Sequence, residues 1–530
     1  MRLHRHRVAL SLFAVLLFGV SAIAQSVPDD LDTYVERTMK TFEVPGIAVA
    51  VVKDGKVLLT KGYGIRDVGK PDKVNEHTLF GIASNSKAFT AAALAMLVDE
   101  GKLKWDDPIN TYLPWFQVYD PYVTRELTIR DTLSHRSGLG LGAGDLMFFP
   151  PSTLTRDQIL QHARYIKPAS SVRSKYAYSN IMFLAAGQVI PAVTGKSWDD
   201  FIRERIFNPL GMTDSVTTTE AVLASKNHVV AHSKIDGKVT AVDWQGMDNA
   251  APAGAIASSV SDLSKWVLLQ LNHGKTADGT QLFSEKRSTE MWAPTTIIPI
   301  SEMPKPLAAL KPNFAVYGLG WFLRDYHGRK LVYHTGGLTG QVSKTLLVPE
   351  ANLGIVVLTN QESGGAFESV VYHLLDYYLQ LPNTDWIAAF KEAREIREKE
   401  AAETENKMKL LRVAASRPSL ELEQYAGDYR DPWYGLTTIN FANGGLTMKF
   451  SHTPSMVGSL KHWQQDTFVV HWNDPTIPDA YITFGLKPDG SIDNVKMEPV
   501  SPLADFSFDF QDLYLTPVPK PKVPAQNVGK

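Results

Sequence analysis

The run FGIASNSKAFTAAALAML, residues 80–97, constrains this chain more than any other stretch. From Lys87 to Val98 apolar and strongly helix-forming residues occupy the whole helical circumference, so the helix they predict has no face for water and must be wrapped by a large domain. Gly81 frees the chain to turn before it. Ser84 falls at the expected helix start, where serine is also a favoured N-cap. Positions i and i+3 share a helix face, which brings the Lys87 amine over the Ser84 hydroxyl. A serine becomes a useful nucleophile when a neighbour takes its proton, and a lysine can do so once burial lowers its pKa towards neutrality. The helix end also offers free backbone N–H groups to an oxyanion formed on Ser84. Ser-x-x-Lys occurs by chance, but Ser84 is the only serine in the chain with lysine at +3.

The first residues join a basic stretch (Arg2, Arg5, Arg7) to an apolar run from Val8 to Val20 and then to Ala22-Ile23-Ala24. This pattern predicts a secretory signal peptide over residues 1–24, cut before Gln25, because the apolar run is too short for a membrane span. The chain has no cysteine, hence neither a lipidated thiol nor a disulfide to tether the mature protein. A periplasmic or secreted location follows, with no membrane anchor. Lys plus Arg is 54 against 56 for Asp plus Glu, a balance that excludes a nucleic-acid-binding surface.

The remaining residues exceed one hydrophobic core, so more than one domain is expected. Two apolar, β-branched runs, 46–53 and 56–65, flank Asp54-Gly55, the signature of a two-residue hairpin. From about 100 to 315 the pattern is helical and loop-rich, and strand-like runs return at 331–337, 343–350 and 353–360 before an apolar helix over 367–381. The reading is an antiparallel sheet built from both ends of residues 25–382, flanked by helices, with a helical lobe inserted. Residues 383–417 alternate in charge and predict a solvated helical linker. Residues 418–515 carry short alternating segments about ten residues apart, punctuated by Asn443-Gly444-Gly445 and Asp489-Gly490, which predicts a small antiparallel sandwich or barrel. The proline-rich end, 516–530, predicts disorder.

Acyl transfer needs two parts beyond Ser84 and Lys87. Tyr178, in Tyr178-Ser179-Asn180, offers a phenol to pass a proton to the leaving group, and Asn180 an amide to orient Lys87 or a substrate carbonyl. His334-Thr335-Gly336-Gly337 offers a strand that glycine allows to approach closely, with the Gly337 N–H as a second oxyanion donor. In this order the three motifs resemble the serine β-lactamase and penicillin-binding protein superfamily, in its class C-like branch. VPGIAVAVV, LTIRDTLSHRSGL, NPLGMTDS, AGAIASSVSDLSKW and YGLGW resemble it too, over about residues 30–382. The resemblance implies a β-lactamase/transpeptidase-like α/β domain with Ser84 as nucleophile, Lys87 as its base, Tyr178 as second acid/base and Asn180 as a positioning group. It also implies an oxyanion hole from the N–H groups of Ser84 and Gly337. At position 334 β-lactamases of this branch usually carry lysine. Here a histidine, with an ordinary pKa near 6.5, is expected to bind a substrate carboxylate or to assist the proton relay. Residues 418–515 resemble, more loosely, a lipocalin-like domain.

His228 and His232 have the i, i+4 spacing of a zinc helix, but Val229-Val230-Ala231 prefers a strand and no HExxH glutamate is present, so no metal and no cofactor is expected. His135 reads as a satisfied loop residue, and no G-x-S-x-G elbow surrounds any serine. Two functions remain. One is a secreted serine hydrolase forming a Ser84 acyl-enzyme with a small-molecule or short-peptide substrate: a D-aminopeptidase, a D-Ala-D-Ala carboxypeptidase, an esterase or a class C-like β-lactamase. The other is a non-catalytic protein that binds penicillin or peptidoglycan fragments. The oligomeric state is not legible in the sequence.

Overall fold

A computed structural model describes residues 26–519. The expected signal peptide, and all of the expected disordered tail beyond residue 519, lie outside the described residues. Eight antiparallel strands form the first sheet: β1 (Gly46–Lys53), β2 (Lys56–Gly64), β3 (Thr296–Ile297), β4 (Ala315–Tyr317), β5 (Phe322–Tyr326), β6 (Arg329–Leu338), β7 (Gln341–Val348) and β8 (Leu353–Thr359). Their spatial order is β2-β1-β8-β7-β6-β5-β4-β3, so the two ends of the domain meet at the β1–β8 pair. Asp54 and Gly55 both take positive φ (50° and 75°), the geometry of the tight turn read from the sequence.

β1 is buried on both faces, and its period of two sorts its residues into two layers. Ile47, Val49 and Val51 pack with helix α1 (Leu31–Phe42) and a later helix described below, whereas Ala48, Ala50 and Val52 face the core around α2 (Ser86–Asp99). All residues of α2 from Ser86 to Leu97 are buried, as its apolar circumference demands. The inserted lobe wraps it with α3 (Asn180–Thr194) and α4 (Val260–Leu271), and Phe89 of α2 stacks on Trp266 of α4 at 3.8 Å. The sheet's other face carries α5 (Gly364–Leu379).

The charged segment forms one helix, α6 (Trp386–Leu411), and its start departs from the expected solvated linker. Trp386, Ile387 and Ala393 recur at helical spacing and are buried, and the Trp386 indole donates to Asp376 of α5 at 2.7 Å. The first turns therefore belong to the unit built on the first sheet, while the later ones carry exposed ion pairs such as Lys399–Glu403. Beyond it, eight strands form an up-and-down meander: β9 (Gly427–Asp431), β10 (Gly435–Ala442), β11 (Gly445–Phe450), β12 (Val457–Gln464), β13 (Thr467–Trp472), β14 (Ala480–Leu486), β15 (Ile492–Pro499) and β16 (Thr516–Pro517). β16 pairs with β9, so Thr516–Pro517 is a strand rather than the beginning of a disordered tail. Val495 and Leu515 exchange backbone hydrogen bonds of 2.8 and 3.1 Å, which nearly closes the meander into a barrel of the lipocalin-like type. A single apolar core runs from the inserted lobe into this barrel.

Candidate active site

The chain enters α2 through a 3-10 turn, Ala83–Asn85, so Ser84 lies just before the helix and caps nothing with its side chain. It is the only residue between Thr78 and Leu97 that is not buried. Ala83 holds φ at 47°, a left-handed conformation that costs an alanine energy and that the surroundings must impose. They do so through hydrogen bonds. Gln341 accepts the Gly81 N–H at 2.9 Å, the Asn85 amide donates to the Ser343 hydroxyl at 2.9 Å, and that hydroxyl donates to the Ile82 carbonyl at 2.8 Å. β6 pairs with β5 only as far as Tyr333, and beyond that point its open edge, residues 334–338, comes up against this turn. Gly336 makes the approach possible: a Cβ there would stand 2.0 Å from the Ile82 carbonyl oxygen. Gly337 meets nothing within 4 Å and lines the cavity beside Thr335 and Ser84.

Lys87 is completely buried, and its Nζ lies 2.9 Å from Ser84 Oγ, 2.7 Å from Asn180 Oδ1 and 2.8 Å from the Ala253 carbonyl. Two of these partners can only accept. A neutral amine has two protons to give them and one lone pair left, which faces the Ser84 hydroxyl. Burial holds the Lys87 pKa well below its ordinary value, with Asp145 pulling the other way. Asn180 faces Lys87 with its carbonyl because its Nδ2 donates to Asp145 Oδ2 at 2.8 Å. Asp145 is itself fully buried and pushed up to about 8, chiefly by desolvation.

The Tyr178 ring lies 4.7 Å from Lys87 Nζ, and burial raises the phenol pKa well above its ordinary value, with the nearby Ser84 hydroxyl opposing the shift. Tyr178 is thus a neutral proton donor beside the nucleophile. His135 supports it: the ring packs on Tyr178 at 4.1 Å between centroids, tilted by 32°, and Nδ1 accepts the Ser179 N–H at 3.0 Å. The expectation of a satisfied loop residue holds for Nδ1 alone, since the buried Nε2 has no hydrogen-bond partner, and the position behind Tyr178 was not legible. Asp131 anchors the same segment by ion pairs to Arg136 and Arg173 of 2.6 and 2.7 Å.

His334 corrects the expectation of a group titrating near 6.5. It is buried, Nδ1–H donates to the Thr335 carbonyl at 2.6 Å, and Nε2 accepts the Tyr317 hydroxyl at 2.9 Å. Desolvation, helped by Lys87, lowers its pKa to about 3. A neutral ring with both nitrogens committed presents no cation to a substrate carboxylate.

Ser84, Tyr178, Asn180, His334, Thr335 and Gly337 line one cavity of about 740 Å³. Its far wall comes from the barrel, where Asp505, Phe506 and Phe508 face the cavity and the Phe506 ring stands 5.7 Å from that of Tyr178. Arg397 of α6 reaches it too. A larger groove, about 1020 Å³ around Asp32, Lys61 and Val239, contains none of these residues, so volume alone does not place the chemistry. His232 lies on a strand, Ala231–Ile235, with both nitrogens engaged by backbone groups of Val68 and Asn360. Among the described residues no cluster of three or more His, Cys, Asp or Glu side chains is arranged to hold a metal, and no helix is long and apolar enough to cross a membrane.

Comparison with known proteins identifies the family of the fold. The Beta-lactamase family model matches residues 31–379, and a domain of unknown function (DUF3471) matches residues 411–517. The chain is 30% identical over 429 residues to the unguisins hydrolase ungD' of Aspergillus campestris, covering 77% of each chain. It is 29% identical over 347 residues to Protein flp of Staphylococcus aureus, covering 63% of each. In fold it is similar to the octameric penicillin-binding protein homologue from Pyrococcus abyssi, with a TM-score of 0.59 at 20% identity over 92% of this chain and 99% of that one. SurE follows at a TM-score of 0.53 and 18% identity, with the same coverage. With a family model spanning the whole sheet-and-lobe unit around Ser84 and Lys87, the chain belongs to the beta-lactamase/transpeptidase-like superfamily of serine hydrolases.

Proposed function

We propose that this protein hydrolyses amide or ester bonds of small peptides or esters through an acyl-enzyme on Ser84. The observation that carries this reading is the buried Lys87 amine, 2.9 Å from Ser84 Oγ, with its other two contacts on oxygens that can only accept. Lys87 takes the hydroxyl proton as Oγ adds to the substrate carbonyl, and the N–H groups of Ser84 and Gly337 receive the oxyanion. When the tetrahedral adduct collapses, Tyr178 gives its proton to the leaving amine or alcohol, and the proton on Lys87 restores the phenol. Water then cleaves the acyl-enzyme by the same groups in reverse, which releases the acid and returns Ser84 to its starting state.

The cavity suits a short peptide better than a bare acyl group. Phe149, Phe322 and Phe506 supply apolar wall, and Asp505, Glu362 and Arg397 supply charges of both signs. The relative named an unguisins hydrolase adds support for hydrolysis as the reaction class. A class C-like β-lactamase is less favoured, because His334 offers no cation for the carboxylate of a β-lactam. A non-catalytic binder of penicillin or peptidoglycan fragments would have no use for a lysine buried against the serine with its pKa lowered by that burial. The leader read from the sequence assigns the work to the periplasm or the cell exterior. Intact-mass measurement after exposure to a fluorophosphonate, a penicillin and a D-alanyl peptide ester tests the reading. A stable adduct with the first and turnover of the third support it, and an unmodified chain with all three refutes it.

A further inference from the structure

The segment after β15, residues 500–509, is the barrel's wall of the Ser84 cavity, and the inserted lobe pins it in place. The Asp509 carboxyl accepts the Gly144 and Leu146 N–H groups at 2.6 and 3.0 Å, and Gly142 comes so close that a Cβ there would stand 2.6 Å from the Phe506 carbonyl oxygen. Turn hydrogen bonds, from the Ala504 N–H to the Ser501 carbonyl at 3.1 Å and from the Phe508 N–H to the Asp505 carbonyl at 3.0 Å, stiffen the rest. Beside this wall lies a second hollow, of about 500 Å³, between the loop and α6. Leu503, Asp505, Phe506 and Arg397 line both hollows, so the two adjoin along the loop.

The far side of the second hollow is a stripe of α6: Arg397, Glu400, Ala401 and Thr404. Their spacing of i, i+3, i+4 and i+7 puts them on one helix face. The ion pairs of this helix, Lys391–Glu395, Arg394–Glu398 and Lys399–Glu403, fall on its other faces and leave Arg397 and Glu400 without an ion-pair partner among the described residues. A guanidinium only donates and a carboxylate only accepts, which suits the alternating C=O and N–H groups of an extended peptide. Leu503 and Phe506 stay 47% and 39% exposed beside them, an apolar strip left uncovered at the junction of the two hollows. From Arg397 to Thr404 the stripe is about 10 Å long at the helical rise, the length of about three residues of extended chain.

We propose that this trough binds the leaving-group half of a peptide substrate, about three residues beyond the scissile amide, with an apolar side chain against Leu503 and Phe506. The side is set by Tyr178, which protonates the leaving amine in the reaction above and whose ring the Phe506 ring meets nearly edge-on at 5.7 Å. As the C–N bond breaks, the acyl group stays on Ser84 Oγ, the amine takes the Tyr178 proton, and the freed peptide departs along the loop. The inference rests on the acyl-enzyme reading and narrows its substrate to a peptide cut inside the chain, rather than one trimmed by a single residue. The barrel and α6 then supply specificity, and the first sheet and its lobe supply the chemistry.

The test uses the full chain and acetyl-D-alanyl-leucyl peptides with zero to three alanines after the leucine, all amidated at the C-terminus so that charge does not change with length. The kcat/KM for cleavage of the D-Ala–Leu bond, with products identified by mass, should rise about tenfold or more from the shortest peptide to the longest, the scale of one buried apolar side chain. Thr404 is exposed, and in Thr404→Trp an indole fills the hollow; the ratio of longest to shortest should fall to near one. Leu503→Lys, also at an exposed position, carries the same test if Thr404→Trp does not fold. A parent ratio near one, a ratio unchanged in the variant, or a gain from alanines added on the acyl side instead overturns the proposal. So does failure to cleave any of the peptides by a chain that a fluorophosphonate labels on Ser84. If the fluorophosphonate leaves Ser84 unmodified, the acyl-enzyme reading falls, and this inference with it.

Discussion

Gly336→Ala is the substitution whose effect the structure determines most sharply. The new Cβ would stand 2.0 Å from the Ile82 carbonyl oxygen, 2.6 Å from the Ser343 hydroxyl and 2.9 Å from the Ala83 Cβ. Ordinary contact begins at 3.4 Å, so β6 and the nucleophile turn must part by 1.4 Å along the tightest direction. The nearest of these groups is a backbone carbonyl, held in place by the Ser343 hydroxyl and followed by the strained Ala83. A displacement of about 1 Å between reacting groups costs on the order of a hundredfold in rate. That is about 2.7 kcal/mol of transition-state stabilisation, and the overpacked contact should also cost ~1–3 kcal/mol of stability. Acylation of Ser84 by a small fluorophosphonate, followed by intact mass, and thermal unfolding measure the two quantities. Gly337→Ala is the control for stability, since its Cβ meets nothing within 4 Å; a change of this kind should stay within about 0.5 kcal/mol of the parent stability. A folded G336A chain that acylates at the parent rate, or an equal loss of stability in G337A, would refute the argument that β6 and the Ser84 turn are held at glycine distance.

Lys87→Ala should slow acylation by at least about a hundredfold, the usual scale of a lost general base; an unchanged rate would place the base elsewhere. Between pH 5 and 8 kcat/KM should show the same pH dependence for carboxylate-bearing and neutral substrates, because His334, depressed to about 3, stays neutral throughout; a limb specific to anionic substrates and lost in His334→Gln would contradict this. Asp131 stays ionised although burial opposes it, since hydrogen bonds from Arg173 and Thr128 hold its pKa below the ordinary value. Its contribution to stability is therefore present above about pH 4 and lost as pH falls through the lowered folded pKa. Asp131→Asn should flatten the acid side of a Tm-against-pH curve, and parallel curves would disprove the role. Trp386→Ala should destabilise the catalytic unit by ~3–5 kcal/mol, as loss of a buried tryptophan does; a neutral effect in urea unfolding would restore α6 to the status of a detached linker.

The parts of this protein that local chemistry encodes were legible in advance. The all-apolar circumference of α2, the Asp54-Gly55 turn and the alternation of the barrel strands each follow from a short-range pattern, and the first sheet assembles from strands at both ends of its domain. Ser84, Lys87, Tyr178 and Asn180 were readable because their motifs are contiguous. What escaped the sequence depends on distant partners. His334 looks like a titrating residue until Tyr317 and the Thr335 carbonyl occupy its ring. Asp145 is one acidic residue among many until Asn180 and the barrel close over it. Trp386 and Ile387 sit at the head of a charge-rich helix whose composition masked its docked first turns. No local pattern placed Phe506 or Asp509, about 330 residues from Tyr178 and from Asn180, against the active site.

The central claim is that Ser84 is a nucleophile activated by Lys87, and peptide mapping of the acylated chain tests it most directly. After brief exposure to a fluorophosphonate, digestion and mass spectrometry should place the adduct on Ser84. Its formation should be abolished in Ser84→Ala and strongly slowed in Lys87→Ala. An adduct on any other residue, or a chain that stays unmodified with every acyl donor while fully folded, would contradict the account.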